Sequence, residues 1–165
     1  MGTVNHATHE FGPIVRPDSE ILILGSFPSV KSREVSFYYG HPQNRFWRVM
    51  EQIFECEPLQ TIEDKRNFCF LHHIALYDVI EECDIIGSSD ASIKNPIPSN
   101  LFEIVRGTNI KKVVLNGKKA EKIFLQFFPK GIGEGIEVVS APSTSPTNAA
   151  WGLNLLIQVW KGLLS

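Results

Sequence analysis

The feature of this sequence that most constrains its fold is a repeated order of apolar run, loop and helical segment. The runs "ILILGS", "IKKVVLNG" and "GIEVVSA" each end at a glycine or another small residue. Short continuous apolar runs of this kind are typical of parallel strands that are covered on both faces. The repetition predicts an α/β sheet with right-handed crossovers and helices on both faces.

Helices are predicted between and after these runs. "NRFWRVMEQIF" places Phe46, Val49 and Met50 at helical spacing. "SNLFEIVRG" is predicted to be a helix that Ser99 caps and Gly107 ends. The other predicted elements are a helix in "KKAEKIFLQFF" closed by Pro129, an apolar C-terminal helix from about Ala149, and a buried segment "HIALYDVI" followed by a polar loop through about residue 98.

The size and charge of the chain limit the functions open to it. With 165 residues, 43% of them apolar, it suits one globular domain, 1–165, with a peripheral or poorly ordered polar lead over residues 1–12. Proteins that coat nucleic acid without regard to its sequence are normally basic, whereas this chain has a formal net charge of −2. Any contact with nucleic acid must therefore be local. Because no apolar run approaches about 18 residues and no signal peptide opens the chain, we expect a cytoplasmic monomer without a membrane segment or an obligate protein partner.

The cysteines and histidines do not form a metal-binding pattern. Cys56, Cys69 and Cys83 are too far apart in sequence for a metal pair, and three cysteines are not an even disulfide set. Cys69 is close to His72 and His73, but buried free thiols are the simpler interpretation. We therefore expect no metal and no cofactor.

Polar and aromatic residues concentrate in the loops that follow the strands. Because ligands bind at the carboxyl ends of strands in α/β sheets, the loops "GSFPSVKSREVSFYYGHPQN", "NGKK" and "SAPSTSPTN" are expected to meet at one crevice. Gly25 marks a tight turn where a ligand can come close. Asn44 is either a cap for the helix after it or a polar group in the crevice. The third loop suits phosphate oxygens, or else is a flexible loop in which Asn148 caps the last helix.

Several segments together resemble a known family. "HPQNRFW" is similar to the H-P-x-N-R-F-W segment of mismatch-specific uracil-DNA glycosylases, "ILGSFPS" to the first motif of that superfamily, and "APSTSPTNAAW" to its DNA-clasping motif. With "VVLNGKKA" and "IALYDV", the chain most resembles the hypoxanthine-DNA glycosylase family of the superfamily. The resemblance implies a three-layer αβα sandwich with a central, mainly parallel four-stranded sheet. It also implies a monofunctional DNA N-glycosylase that flips out a deaminated base, hypoxanthine first, and hydrolyses its bond to the sugar.

The resemblance further implies roles for individual residues. Superfamily members with Asp or Asn in the first motif use it to position or activate water, whereas Phe27 stands there in this chain, so Asn44 is expected to take the catalytic role. No lysine lies within a motif core, so lyase chemistry is not expected. The base pocket is expected to contain Gly25, Ser26, Phe27, Tyr39 as the stacking face (Tyr38 being second) and Asn116, with His41 and Arg45 in support and with Ser143, Thr144, Ser145, Asn148 and Lys118 on the DNA.

Three alternatives remain open. The substrate could be uracil or a mismatched thymine, because the contacts that decide this are partly backbone. A DNA- or nucleotide-binding module without chemistry is compatible with Phe27 in the first loop. An unrelated α/β enzyme acting on a small phosphorylated ligand is the third alternative, and the lack of a phosphate-loop motif counts against it.

Overall fold

Two sheets and six helices make up the described part of the chain. The computed structural model describes residues 4–86 and 93–165. The strands in these ranges are β1 (Val4–Thr8), β2 (Ile21–Gly25), β3 (Ile74–Asp78), β4 (Ile80–Ile86), β5 (Ile93–Pro98), β6 (Lys112–Asn116) and β7 (Glu137–Ala141). The helices are α1 (Val30–Val35), α2 (Phe46–Phe54), α3 (Ile62–Leu71), α4 (Leu101–Val105), α5 (Lys118–Phe127) and α6 (Leu153–Leu164). None of the helices in these ranges is long and apolar enough to cross a membrane.

The apolar runs form a central sheet of four strands. Its order is β3-β2-β6-β7, and all three pairings are parallel. Every residue of β3 is buried, as are the central residues of β2 and β6, which agrees with strands that are covered on both faces. The α/β fold with a four-stranded parallel sheet is therefore confirmed, and the carboxyl ends of its strands share one edge.

The second sheet was not predicted. Strands β1, β4 and β5 pair antiparallel in the order β1-β4-β5. Strand β1 lies in the predicted lead, and β5 and most of β4 lie where the sequence indicated a polar loop through about residue 98. In β4, Cys83 and Ile85 are buried whereas Glu82 and Asp84 are partly exposed, so the strand buries one face only. Such a strand contains charged residues and lacks the continuous apolar run by which the central strands were recognised. Part of the expected loop, residues 87–92, lies outside the described residues.

Two helix limits differ from the prediction. Asn100, and not Ser99, caps α4, because its side chain accepts the Glu103 N–H, whereas the Ser99 hydroxyl donates to the Asp78 carbonyl. The last helix begins at Leu153 after a Gly152 cap, and not near Ala149. The residues between β7 and α6 are thus loop and turn, which leaves Asn148 free for other contacts.

The polar lead takes a larger part in the fold than the sequence indicated. Residues 4–8 form β1 on one side of the second sheet, and this strand is mostly exposed. His9 follows it, and its side chain is fully buried and contacts Asp78 at the end of β3. The residue after β1 therefore reaches the edge of the central sheet.

Helices α2 and α6 pack against each other beside this edge. Phe46, which was predicted to lie in the core, and Trp160 are fully buried, with their ring centroids 5.9 Å apart in an edge-to-face contact. The indole N–H of Trp160 donates to the Pro142 carbonyl at 3.0 Å. This bond fixes the loop after β7 to α6, and α6 in turn packs against the start of α2.

Candidate active site at the carboxyl edge of the sheet

A cavity of about 1060 Å³ opens at the carboxyl edge of the central sheet. The loops after β2, β6 and β7 all contribute to its wall, so the three loops meet there as predicted. His41 and Arg45 are not part of the wall. The predicted site residues that line the cavity are Gly25, Ser26, Phe27, Tyr39, Asn44, Asn116, Lys118, Ser143, Thr144, Ser145 and Asn148.

Asn44 lies in the cavity wall and is held there by its carbonyl oxygen. Its Oδ1 accepts the Phe46 backbone N–H at 2.9 Å and the Thr144 hydroxyl at 2.9 Å. Because a backbone N–H can only donate, the atom that faces it must be the amide oxygen. Asn44 therefore lines the crevice, as one alternative predicted, whereas Arg45 occupies the cap position of α2 and Asn44, one residue before it, accepts the first N–H of the helix. Within the described residues its amide nitrogen has no hydrogen-bond partner.

Thr144 and Asn116 hold Asn44 in this orientation. The Asn116 amide accepts the Thr144 backbone N–H and donates to the Thr144 hydroxyl, both at 3.1 Å. Thr144 is fully buried. This arrangement corrects two expectations: Thr144 is inaccessible to a phosphate, and both polar atoms of the Asn116 side chain are already engaged, which leaves less capacity to bind a base edge. Thr144 bonds directly to the Asn44 oxygen, and Asn116 bonds to Thr144.

Arg45 is a structural clamp for the third loop. Its guanidinium donates to the carbonyl oxygens of Trp151, of Ser145 at 2.9 Å and of Asn148 at 3.1 Å. His41, in contrast, accepts the Gln43 N–H at 3.0 Å and remains outside the cavity. Arg45 therefore supports the site by holding the third loop, whereas the His41 side chain bonds only within the turn formed by residues 41–43.

The third loop is folded by its own side chains. The Asn148 amide donates to the Ser143 carbonyl at 3.0 Å, and the Ser143 hydroxyl accepts the Ser145 N–H at 3.1 Å. Asn148 therefore stabilises the loop, and the alternative that it caps the last helix is wrong. Gly117, with φ of 99°, lies against this loop, and a Cβ there would come within 2.9 Å of the Ser143 Cβ.

The first loop contributes the aromatic side chain of Phe27 and the backbone of Gly25 to the cavity. Phe27 lines the wall with 8% exposure, and the Arg33 guanidinium lies 5.8 Å from its ring centroid. A Cβ at Gly25 would come within 2.5 Å of Asp78 Oδ1. The lack of a side chain at position 25 therefore keeps the space between the two strand ends open.

The two tyrosines of the first loop have different environments. Tyr38, the second choice for stacking, also lines the cavity, but it is only 3% exposed and its hydroxyl donates to the Gly12 carbonyl at 2.8 Å, so little of its ring can be reached. Tyr39 lines the cavity, but one face of its ring is stacked on Phe46 at 4.1 Å. Burial, followed by the charge of Asp78, raises the pKa of the Tyr39 phenol, which therefore remains a hydrogen-bond donor.

Asp78 and His9 belong to the site but were not predicted from the sequence. Asp78 ends β3 in the cavity wall, and its Oδ2 lies 2.8 Å from Nε2 of His9. The available signal was a charged residue directly after the buried run "IALY", at the sheet edge where the ligand was expected. His9 gave no such signal, because it belongs to a polar segment that is far from the motifs in sequence.

The Cys69, His72 and His73 group does not converge on a common point. Cys69 is buried, which raises the pKa of its thiol to about 12. The His72 ring packs against Phe54 at 4.2 Å, and His73 Nδ1 lies 3.0 Å from the Asp18 carbonyl. Across residues 4–86 and 93–165, no three His, Cys, Asp or Glu side chains are grouped as metal ligands would be.

Comparisons with known proteins identify the family of this chain. The family model described as "Uracil DNA glycosylase superfamily" matches residues 13–164. A Methanosarcina barkeri protein named hypoxanthine DNA glycosylase is 39% identical over 114 residues, 67% of this chain and 71% of that protein. A Methanosarcina acetivorans protein of the same name is 33% identical over 149 residues, 87% of this chain and 90% of that protein.

A solved structure has the same fold. A solution NMR structure from Methanosarcina acetivorans, of a protein whose name associates it with the uracil DNA glycosylases, superimposes with a TM-score of 0.78 at 28% identity. The match covers 93% of this chain and 94% of that one. The parallel sheet, the cavity at its carboxyl edge and the match over residues 13–164 lead to one assignment: this chain belongs to the uracil DNA glycosylase superfamily.

Proposed function

We propose that this chain is a monofunctional DNA N-glycosylase that removes a deaminated base, hypoxanthine first, by hydrolysing the bond between base and deoxyribose. Two relatives named hypoxanthine DNA glycosylase, at 39% and 33% identity, support this substrate. The observation that carries the proposal is the Asn44 amide in the cavity wall, with its oxygen engaged by Phe46 and Thr144 and its nitrogen unpaired.

The proposed reaction begins with extrusion of the nucleotide, because the target bond is inaccessible inside the duplex. A cavity of about 1060 Å³ is large enough to receive one nucleotide. Cleavage then builds positive charge on the sugar and negative charge on the departing base. A carboxamide is not basic near neutral pH, so Asn44 contributes as a fixed N–H donor that stabilises the negative charge. Water completes the hydrolysis and leaves an abasic site.

The donor role of Asn44 follows from the engagement of its oxygen. A carbonyl oxygen has two lone pairs, and both already accept hydrogen bonds from Phe46 and Thr144. Orientation of water through this oxygen, which the sequence left open, would require one of these bonds to break. Thr144 and Asn116 keep the amide nitrogen directed away from the protein interior, and they therefore act on the reaction through Asn44.

The proposed DNA-binding surface is the rim formed by the third loop and the start of α5. Ser143, Ser145 and Asn148 lie in a loop that Arg45 already holds in shape, so the loop can meet a phosphate without first being ordered. Lys118 is exposed at the cavity rim. With a net charge of −2, such local groups must provide the attraction to DNA.

Lys118→Ala is expected to weaken binding to undamaged duplex and to lower the slope of log K against log salt by roughly 0.9, because one phosphate contact is lost. The measurement is fluorescence anisotropy over a salt series. Lys130→Ala is the matched control, because Lys130 is an exposed lysine just beyond the opposite end of α5. An unchanged slope in Lys118→Ala would place the DNA elsewhere.

The proposed function is tested by incubating the protein with end-labelled duplexes that contain deoxyinosine, deoxyuridine or a G·T mismatch. We expect base release from deoxyinosine to be fastest, and strand breaks to appear only after alkali, because hydrolysis alone leaves the abasic strand intact. Strand breaks without alkali would contradict the monofunctional mechanism. Binding of the lesions without release of any base would favour a DNA-binding module, the alternative that Phe27 in the first loop keeps open.

A further inference from the structure

Arg33 is a half-buried arginine in α1, beside the cavity. Its backbone N–H donates to the Ser29 carbonyl at 3.0 Å, so Arg33 lies one turn beyond Ser29 on the same side of the helix. Ser29 and Ser32 both line the cavity. Within residues 4–86 and 93–165 the Arg33 guanidinium makes no hydrogen bond and no ion pair, and its Nε is buried. This side of α1 therefore brings an unpaired positive charge to the edge of the cavity.

The other cations of α1 and of the start of α2 are already engaged. Lys31 forms an ion pair with Glu34 at 3.3 Å. Arg45 donates to carbonyl oxygens of the third loop, and Arg48 donates to a backbone carbonyl at 3.3 Å. An arginine stays charged at any physiological pH, and a partly buried charge without a partner is costly. An anion bound beside Arg33 would remove this cost.

The ring of Phe27 holds the Arg33 guanidinium in place. The central carbon of the guanidinium lies 5.8 Å from the ring centroid, within the range of a cation–π contact. Phe27 is itself 8% exposed and lines the cavity, so its ring is fixed by packing. A guanidinium that is already oriented loses little freedom when it binds a ligand, which favours binding.

Arg33 and the third loop lie towards different edges of the central sheet. The Phe27 ring also contacts His9, with ring centroids 6.2 Å apart, and His9 reaches the end of β3. Strands β3 and β7 are the two edge strands of this sheet, and the third loop follows β7. An extruded nucleotide has a phosphate on each side, and the third loop is proposed to meet the backbone on one of them. Arg33 stands where the backbone would leave the cavity on the other.

We propose that Arg33 binds a phosphate of the DNA backbone on the β3 side of the cavity, with Phe27 as its positioning residue. A guanidinium can bind two phosphate oxygens through parallel N–H groups, and a phosphate contact positions DNA without reading its sequence. Phe27 cannot activate water, and this contact gives the ring a role in binding instead. The inference rests on the proposed function and adds a contact that is independent of the identity of the base.

The test is a binding scan with duplexes that contain 2′-fluoro-deoxyinosine, which bind without being cleaved. In each duplex an uncharged methylphosphonate replaces one phosphate near the lesion. For wild-type protein we expect at least one substitution to weaken binding about 10-fold or more, as for a lost hydrogen bond to a charged group. In Arg33→Ala one of these substitutions is expected to cost about 2-fold or less, because the partner of that phosphate is already absent.

Arg66→Ala is the matched control. The Arg66 guanidinium lies 5.7 Å from the ring centroid of Phe37, so it has a similar aromatic contact, but both residues line a different cavity of about 230 Å³. We expect every methylphosphonate to cost the same in Arg66→Ala as in the wild type. Loss of the phosphate effect in Arg66→Ala as well as in Arg33→Ala would overturn the inference, because the effect would then not be specific to Arg33.

The remaining outcomes also decide the question. Equal costs in wild type and folded Arg33→Ala at every phosphate would overturn the inference, including the case in which Arg33 only packs against Phe27. A wild-type scan without any sensitive phosphate would overturn it even if Arg33→Ala did not fold. If the scan identifies a phosphate that depends on Arg33 but cleavable duplexes release no base, the proposed function fails and the contact stands. Base release without such a phosphate would overturn the inference alone.

Discussion

Asn44→Asp is expected to lower the rate of base release by on the order of 100-fold or more, with little loss of stability. Aspartate keeps an oxygen that can accept the Phe46 N–H and the Thr144 hydroxyl, so the start of α2 and the link to the third loop persist. What changes is the atom that faces the cavity, where an N–H donor becomes a negatively charged acceptor. The measurement is single-turnover release of hypoxanthine, together with thermal unfolding.

The same variant separates two mechanisms for Asn44. If the side chain worked by orienting water through an oxygen, aspartate would keep or raise the activity, because a carboxylate is the stronger base. Asn109→Asp is the matched control, since Asn109 is exposed and lies before β6, at the opposite end of the strand from the cavity. Activity at or above the wild-type level in Asn44→Asp would exclude the donor mechanism.

Gly117→Ala is expected to lower the free energy of unfolding by about 2–4 kcal/mol and the rate of base release by at least about 10-fold. Position 117 has φ of 99°, and the new Cβ would come within 2.9 Å of the Ser143 Cβ. The third loop must therefore shift, and with it the Thr144 hydroxyl that holds Asn44. Chemical denaturation and the single-turnover assay measure the two effects.

Gly131→Ala separates backbone strain from displacement of the loop. Gly131 has φ of 79°, and a Cβ there would meet no atom within 4 Å. We expect Gly131→Ala to lose about 1–2 kcal/mol of stability from the left-handed backbone alone and to keep its activity. Equal activities in the two variants would mean that the contact with Ser143 does not control the site.

The parts of the fold that follow from local pattern were predictable. The strand that ends at Gly25 has a continuous apolar run, and α2 has apolar residues at helical spacing, so each could be recognised without its neighbours. The second sheet could not be recognised in this way. Strand β4 lies between β5 and β1, of which β1 is far away in sequence, and its exposed face has the composition of a loop.

The position of the candidate site could be predicted from the sequence, whereas the roles of its individual residues could be predicted less well. The rule that ligands bind at the carboxyl edge brought Asn44, Asn116 and the third loop together correctly. The sequence could not indicate that Asn116 and Thr144 bond to each other, because they are 28 residues apart and either could have faced the ligand. Their functional assignments, like that of Tyr39, stay predictions until the variants are measured.

The hydrogen bond between Asn44 and Thr144 joins residues 100 positions apart. During synthesis on the ribosome, the first two-thirds of the chain can leave the exit tunnel without the groups that orient this amide. The proposed active site can therefore form only after β7 and the loop that follows it have been synthesised, because that loop carries the group that orients Asn44.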